Sequence, residues 1–398
     1  MKKIVVLGGG FGGVAALHTL AQNSREDELE LTLIDKNTFH LFTPSLYEVA
    51  SSEEPKVNVA IPFREIFPKH VRIFKDSIKS IDTKQKKVLV TKGPPHPYDY
   101  LVISLGSESA DFHIPGLTEH GLPLKTLADA IAVRNNIRDA YHKAQEEGRV
   151  MRILIGGGGF SGTELAGELT NYRRRLAKHH RRPRDCVEIS VISGSECLLK
   201  ELDMSVSRLA EKRLRKEQVV LRFGEHIASV TEHSIKTDRG NTYPFDVLIW
   251  TGGVRASRLP EESGLLTNQR GQVPVNELLQ ISGETHVYAV GDIAEFIEPE
   301  TNAPIPTVAQ VAEDQGKQAA ENILHSIRNE KLVPYEYRHF GYIVPLKGHY
   351  AVAQLPYLHL SGLAGWILQQ LVFLRYLYGI LPLSKAMKRW NKFEKELL

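Results

Sequence analysis

Cysteine is nearly missing from this sequence: 398 residues contain two, Cys186 and Cys197, with no Cys-x-x-Cys pair. A disulfide framework is thereby excluded, and a reducing compartment fits. Charge of one sign is scarce as well, because 50 Lys and Arg against 47 Asp and Glu leave a net charge of +3. That is too little to argue for nucleic acid as a partner. Met1-Lys2-Lys3-Ile4 leads directly into an apolar strand pattern that stops at Gly8, so this segment reads as part of the fold and not as an export signal. No metal-ligand cluster and no low-complexity linker interrupts the chain. No metal is expected, and the domains are expected to dock tightly.

Glycine is what the chain has in quantity, 31 residues, much of it clustered in tight loops. A chain of this length exceeds one ordinary core, so two or three domains are expected. Ile4 to Leu7 reads as a strand, Gly8-Gly9-Gly10-Phe11-Gly12-Gly13 follows, then a helix over Val14–Gln22 and a strand from Leu29 that ends on Asp35. About 150 residues later the unit repeats. Met151–Gly156 is a strand, Gly157-Gly158-Gly159-Phe160-Ser161-Gly162 the loop, Thr163 to about Lys178 a helix, and Val187–Ile192 the second strand. Two β-α-β units predict an α/β fold with two Rossmann-like dinucleotide-binding domains.

Gly8, Gly10 and Gly13 have the G-x-G-x-x-G spacing: a tight turn, a close approach to pyrophosphate, and close packing of helix on strand. The helix N-terminus adds partial positive charge for the phosphates. Asp35, with Lys36 after it, stands where a carboxylate accepts ribose hydroxyls. Gly157, Gly159 and Gly162, with Phe160, repeat the spacing, but the second strand ends on Ser193-Gly194 instead of an acid. A serine there tolerates a 2′-phosphate that a carboxylate would repel, whereas Glu196 could reach the ribose instead, so NADH and NADPH both stay open.

Glu164 and Glu168 share a helix face, with Glu164 read as facing the phosphate loop or serving the helix dipole, and Glu168 as facing solvent or a neighbouring helix. The run Arg173-Arg174-Arg175 through Arg184 reads as a solvated helix end. Further apolar strands close on Gly106-Ser107, on Gly252-Gly253 and on Gly291-Asp292, and a helix is expected from Val308 to Ser326.

The sequence resembles the type II NADH:quinone oxidoreductases (alternative NADH dehydrogenases) among the two-dinucleotide-binding flavoproteins. The resemblance is carried by Gly8 to Gly13, His40 to Ala50, Gly157 to Leu169, Trp250 to Arg255, Val290-Gly291-Asp292 and Pro306 to Ala312. It implies FAD on the first unit, with Gly106, Gly291 and Asp292 along it and Ala309 and Gln310 at the flavin ring. It implies NADH on the second unit, with Gly252 and Gly253 near the nicotinamide, and a quinone in a pocket formed by Gln310, Asp314 and Gln315. Glu164 and Gln310 are the expected catalytic residues. Asp314-Gln315 and Thr43 depart from the family's usual polar residues, and an anionic Asp314 would oppose negative charge on a quinone.

The implied domains are 1–115 with 270–330 for FAD, 116–269 for NAD(P)H, and 331–398 as a C-terminal strand and helix region. In the last of these, apolar residues from His359 to Leu383, the aromatics Trp366, Tyr376, Tyr378 and Trp390, and the basic Lys385, Lys388, Arg389 and Lys392 suggest monotopic attachment to the cytoplasmic face of the cell membrane. On this expectation, removing everything after Leu358 releases the protein from membranes and leaves flavin reduction intact. A homodimer stays open. Two other activities share such a scaffold: a soluble flavin reductase of a small redox protein, and a redox-gated binding partner resembling apoptosis-inducing factor.

Overall fold

The computed structural model describes residues 1–52, 59–179 and 186–395. The first unit is β1 (Lys2–Leu7), α1 (Phe11–Asn23) and β2 (Leu29–Asp35), then the short helix α2 (Leu46–Ala50), β3 (Arg72–Lys75) and β4 (Tyr100–Ile103). The second is β5 (Gly121–Pro123), α3 (Leu127–Glu146), β6 (Met151–Gly156), α4 (Phe160–His179), β7 (Val187–Ser193), β8 (Val219–Phe223) and β9 (Val247–Trp250). The chain then returns to the first unit with β10 (Val287–Ala289) and α5 (Ala309–Ile327). It ends with β11 (Tyr342–Pro345), β12 (Ala351–Leu355), β13 (Leu358–Gly362), α6 (Leu363–Ile380) and α7 (Leu383–Lys395).

Each unit is built on a five-stranded sheet, ordered β10-β4-β1-β2-β3 in the first and β5-β9-β6-β7-β8 in the second, with every pair parallel. The strand that feeds the glycine loop is central in both. Both faces of β1 are covered: Ile4 and Val6 join one core, Val5 and Leu7 another. This explains its unbroken apolar run, since a parallel strand between two layers has no wet face to alternate toward. β6 repeats the arrangement, with Ile153 and Ile155 on one side and Leu154 on the other. A two-stranded ribbon, Ser107–Ser109 paired with Val254–Ala256, joins the units.

The C-terminal region, read from the sequence as strands and membrane-attachment helices, contributes to both cores. Val344, Leu346 and Val352 of the antiparallel β11-β12-β13 sheet enter the core of the second unit. Tyr376, Leu377, Ile380, Leu381 and Ala386 enter the core of the first. The apolar stretch from His359 to Leu383 opens within a third strand, and the helix that follows breaks at Leu381-Pro382, where proline ends α6. Tyr376 is buried, Trp390 packs against the first core, and Arg389 is paired with Glu65 at 2.9 Å, so these three face the protein. The solvent side of α6 carries Leu363, Ile367 and Leu371, exposed at four-residue spacing. Among the described residues no helix is long and apolar enough to cross a membrane.

The arginine run is solvated only in part: Arg174 and Arg175 are exposed. Arg173 is buried and donates to the Val187 and Glu217 carbonyls, and Arg175 donates to the Ser51 carbonyl at 2.9 Å. Arg184 lies outside the described residues.

Candidate active site

The first loop is shaped by close approaches that only glycine permits. Gly8 has φ +89°, and a Cβ on it would lie 2.5 Å from the Ser104 carbonyl oxygen. A Cβ on Gly13 would lie 2.0 Å from the Gly8 oxygen, so the first turn of α1 rests directly on the end of β1. Gly12 is pressed in the same way against Val290 and Ala312. Gly10 differs, because a Cβ there meets nothing within 4 Å. The space beside it is open and faces the N-terminus of α1, which is where a pyrophosphate is held in such loops. The residues present therefore fit a dinucleotide.

Asp35 accepts the Gly9 N–H at 2.7 Å and the Asn37 N–H at 2.6 Å, one on each oxygen, and each oxygen keeps a lone pair for ribose. Burial pushes its carboxyl above the usual range, with the two backbone bonds pulling the other way. Lys36 is exposed next to it.

Further along the same cleft, Asp292 sits in a 3₁₀ turn that follows β10. Ser107 donates to its carboxylate, and the Lys125 ammonium lies 3.5 Å from it and donates to Ser107 at 2.7 Å. Lys125 is aimed by the start of α3, where Thr126 and Asp129 form a reciprocal capping box. Gly106, at φ +66°, leaves open space ahead of Ser107. A cavity of about 440 Å³ opens here, lined by Ser107, Asp292, Thr307, Arg255, Arg258 and Arg270 among others. Ser107 was visible beside Gly106; Lys125 was not, since a lone lysine before a helix carries no signal.

Ala309 and Gln310 form the half-buried first turn of α5. Gln315, expected in a quinone pocket, is buried and accepts the Gly291 N–H at 2.7 Å, so its amide is engaged in holding that turn. Asp314 is half-buried, and its carboxyl is raised by burial and by neighbouring Glu313, while Lys317, Arg375 and Arg338 oppose the shift. Glu313 is itself paired with Lys317 at 2.5 Å and Arg375 at 3.5 Å.

The second loop follows the first. A Cβ on Gly157 would strike the Thr251 backbone at 2.7 Å, one on Gly162 would lie 2.1 Å from the Gly157 oxygen, and Gly159 faces open space. Phe160 opens α4 with its ring 5.4 Å from Tyr342. Ser193 is buried at the end of β7 and accepts the Ser195 N–H at 3.3 Å. Both the Glu196 carboxylate and the Arg239 guanidinium border Gly224 near this strand end. Gly252 lies under the Trp250 ring and Gly253 under the Phe112 ring, so aromatic packing demands glycine at both.

Glu164 is half-buried in the first turns of α4. It lies toward α2, where burial and the charge of Glu48 push its carboxyl well above the usual range. Glu168, next on that face, is 3.8 Å from Arg175 and accepts Asn171 at 3.2 Å. Tyr47 completes the cluster, its hydroxyl bonded to Gln369 of α6 and its pKa raised by burial and by Glu48, Glu164 and Glu168. Adjacent Gln370 is buried with no partner for its Oε1 among the described residues. Glu48, Gln369 and Gln370 were missed as site residues because nothing in local spacing brings α2, α4 and α6 together.

Two type II NADH:quinone oxidoreductases, from Staphylococcus saprophyticus and Staphylococcus aureus, are each 26% identical to this chain over 98% of both sequences. NDH2 from Plasmodium falciparum, solved in complex with NADH, superposes with a TM-score of 0.86 at 18% identity, covering 98% of this chain and 96% of that one. The sulfide:quinone oxidoreductase of Aquifex aeolicus gives 0.79 at 20% identity, with 96% and 91% covered. These structures share the fold. Residues 2–316 match the model of the pyridine nucleotide-disulphide oxidoreductases, and the chain belongs to that family.

Proposed function

We propose that the chain is an FAD-dependent NADH:quinone oxidoreductase of the type II class, working at a membrane surface. The observation that carries this reading is the end-to-end similarity to relatives of that name, on a chain whose two glycine loops both keep an open phosphate position. FAD belongs to 1–115 with 270–330, held by Gly8, Gly10, Phe11, Gly12, Gly13, Asp35, Lys36, Gly106, Gly291, Asp292 and Ala309. The nicotinamide cofactor belongs to 116–269, held by Gly157, Gly159, Phe160, Gly162, Ser193, Gly252 and Gly253. When bound, the flavin takes a hydride from the nicotinamide and supplies two electrons to the acceptor.

The protein's part is orientation, exclusion of water and proton supply. Quinone reduction consumes two protons, and the half-buried Glu164, its carboxyl raised well above the usual range by burial and by Glu48, is our candidate to supply one of them. Gln310, in the half-buried first turn of α5, is our candidate to hydrogen-bond a quinone carbonyl. Asp314 borders the same helix face, and its raised pKa lessens the charge it sets against a reducing quinone. Gln315 acts one step back, through Gly291. Leu363, Ile367 and Leu371, with the exposed Tyr357 and Leu358 and the basic Lys385 and Lys388, form the face that meets the cytoplasmic leaflet.

Parallel steady-state oxidation of NADH and NADPH, with a menaquinone and a ubiquinone analogue as acceptors, tests the proposal. Sustained NADH turnover with at least one quinone is expected. Rapid flavin bleaching by NADH without turnover on either quinone would overturn it in favour of a redox-gated binding role.

A further inference from the structure

A buried side chain links the FAD loop to the C-terminal helix by hydrogen bonds at both ends. His40 lies in the short strand Phe39–Leu41 and is fully buried. Its Nδ1 is 2.9 Å from the Gly9 carbonyl oxygen, and its Nε2 is 2.8 Å from the Tyr376 hydroxyl on α6. A carbonyl only accepts, so Nδ1 carries the proton; Nε2 then accepts, and Tyr376 must donate. The sequence of donors is fixed: Tyr376 to His40, His40 to Gly9.

The consequence lies in the peptide that joins Gly9 to Gly10. A trans peptide is planar, with its C=O and N–H pointing in opposite directions. Drawing the Gly9 oxygen inward onto His40 therefore aims the Gly10 N–H outward, into the open space at the head of α1. Among the described residues nothing accepts that N–H. The N–H of Gly9 is held separately by Asp35. The direction of the Gly10 N–H is thus set by a contact that originates over 300 residues away.

The surroundings make the contact specific. The Phe11 ring stands edge-on to His40 with centroids 4.9 Å apart and lies 5.0 Å from Tyr376. Phe42 bridges Tyr376 at 5.5 Å and Phe373 at 4.6 Å. His40 is fully buried in this aromatic enclosure, so losing either hydrogen bond leaves a buried polar group to be satisfied at a cost.

We propose that His40 is a positioning residue for the flavin loop, relaying the seating of α6 to the Gly9–Gly10 peptide, so that FAD retention depends on the C-terminal helix. This rests on the reading that FAD occupies Gly8–Gly13.

The test follows FAD release from purified holoenzyme on dilution, read by the fluorescence of freed flavin, beside thermal unfolding of each variant. Tyr376→Phe removes one hydroxyl and should speed release about three- to tenfold, the scale of one hydrogen bond. His40→Gln reaches Tyr376 but not Gly9 and should do the same. His40→Asn keeps an amide N–H near the Nδ1 position and should rescue retention; adding Tyr376→Phe to it should change nothing more. Wild-type release rates in both Tyr376→Phe and His40→Gln would overturn the inference. So would losses that track thermal stability regardless of which nitrogen is kept. Wild-type protein purified without flavin would instead overturn the cofactor reading, and the inference with it.

Discussion

At Gly13 a single methyl group would collide with backbone, whereas at Gly10 it would touch nothing. The two glycines thus answer to different things, one to the fold and one to the ligand. Gly10→Val should give a soluble protein that unfolds like the wild-type apoprotein but purifies colourless; a yellow variant would refute this. Both glycines were legible in the sequence, because phosphate loops demand a fixed spacing. His40 was not, since hydrogen-bond direction at one imidazole leaves no periodic trace.

Ser193 was legible as a departure, and its burial sharpens what it can do. Ser193→Glu would have to turn its carboxylate outward past Gly158, toward the ribose, because the present Cβ and hydroxyl already sit 3.0 Å from where a Gly158 Cβ would be. The variant should raise kcat/KM for NADH relative to NADPH by about ten- to hundredfold, the worth of one charged hydrogen bond gained and one repulsion added. An unchanged ratio would place ribose recognition elsewhere, with Glu196 the next residue to replace.

Acid sensitivity is also set at one residue. Burial holds the His40 imidazole down to about 4, against about 6.5 when exposed. The folded state keeps the neutral ring, so its contribution is complete above about pH 6.5 and is lost as pH falls from there toward 4. It amounts to about 3 kcal/mol. The other titratable groups bearing on the relay are Tyr376 and, through it, Glu313. Thermal unfolding at about pH 7 and about pH 4.5 should show a larger drop for wild type than for His40→Asn; equal drops would remove His40 from the account.

At the scale of elements, the strands and helices of both units were readable because parallel strands covered on both faces give unbroken apolar runs. The C-terminal helices were read as apolar but not as sided. Periodicity reports an apolar surface without saying what covers it, and here one face of α6 completes the first core while the other carries Leu363, Ile367 and Leu371. Truncation after Leu358 therefore cannot leave flavin chemistry intact. It removes Tyr376, Leu377, Ile380 and Leu381 from the core, at about 1.5–3 kcal/mol for each large apolar side chain. The proposed membrane contact can be tested on the outer face of α6 without disturbing the core. Ile367→Glu with Leu371→Glu should abolish sedimentation with anionic vesicles and leave NADH oxidation by a water-soluble quinone near wild type. Unchanged sedimentation would move the attachment site away from α6.

For the molecule as a whole, the repeated unit was visible in the sequence, and the structure adds that β10 joins the first sheet after the second unit is complete. The interlocking was not visible. α2 leaves the first unit to pack in the core of the second, and the C-terminal sheet and helix close one core each. This order of closure has a meaning for biosynthesis. The second unit draws its sheet from residues 121–250, contiguous in the chain, whereas the first must wait for β10 and then for α6. Tyr376, which bears on the Gly8–Gly13 loop through His40, is synthesised more than 300 residues after that loop, so the loop's support is completed only once α6 has emerged and docked.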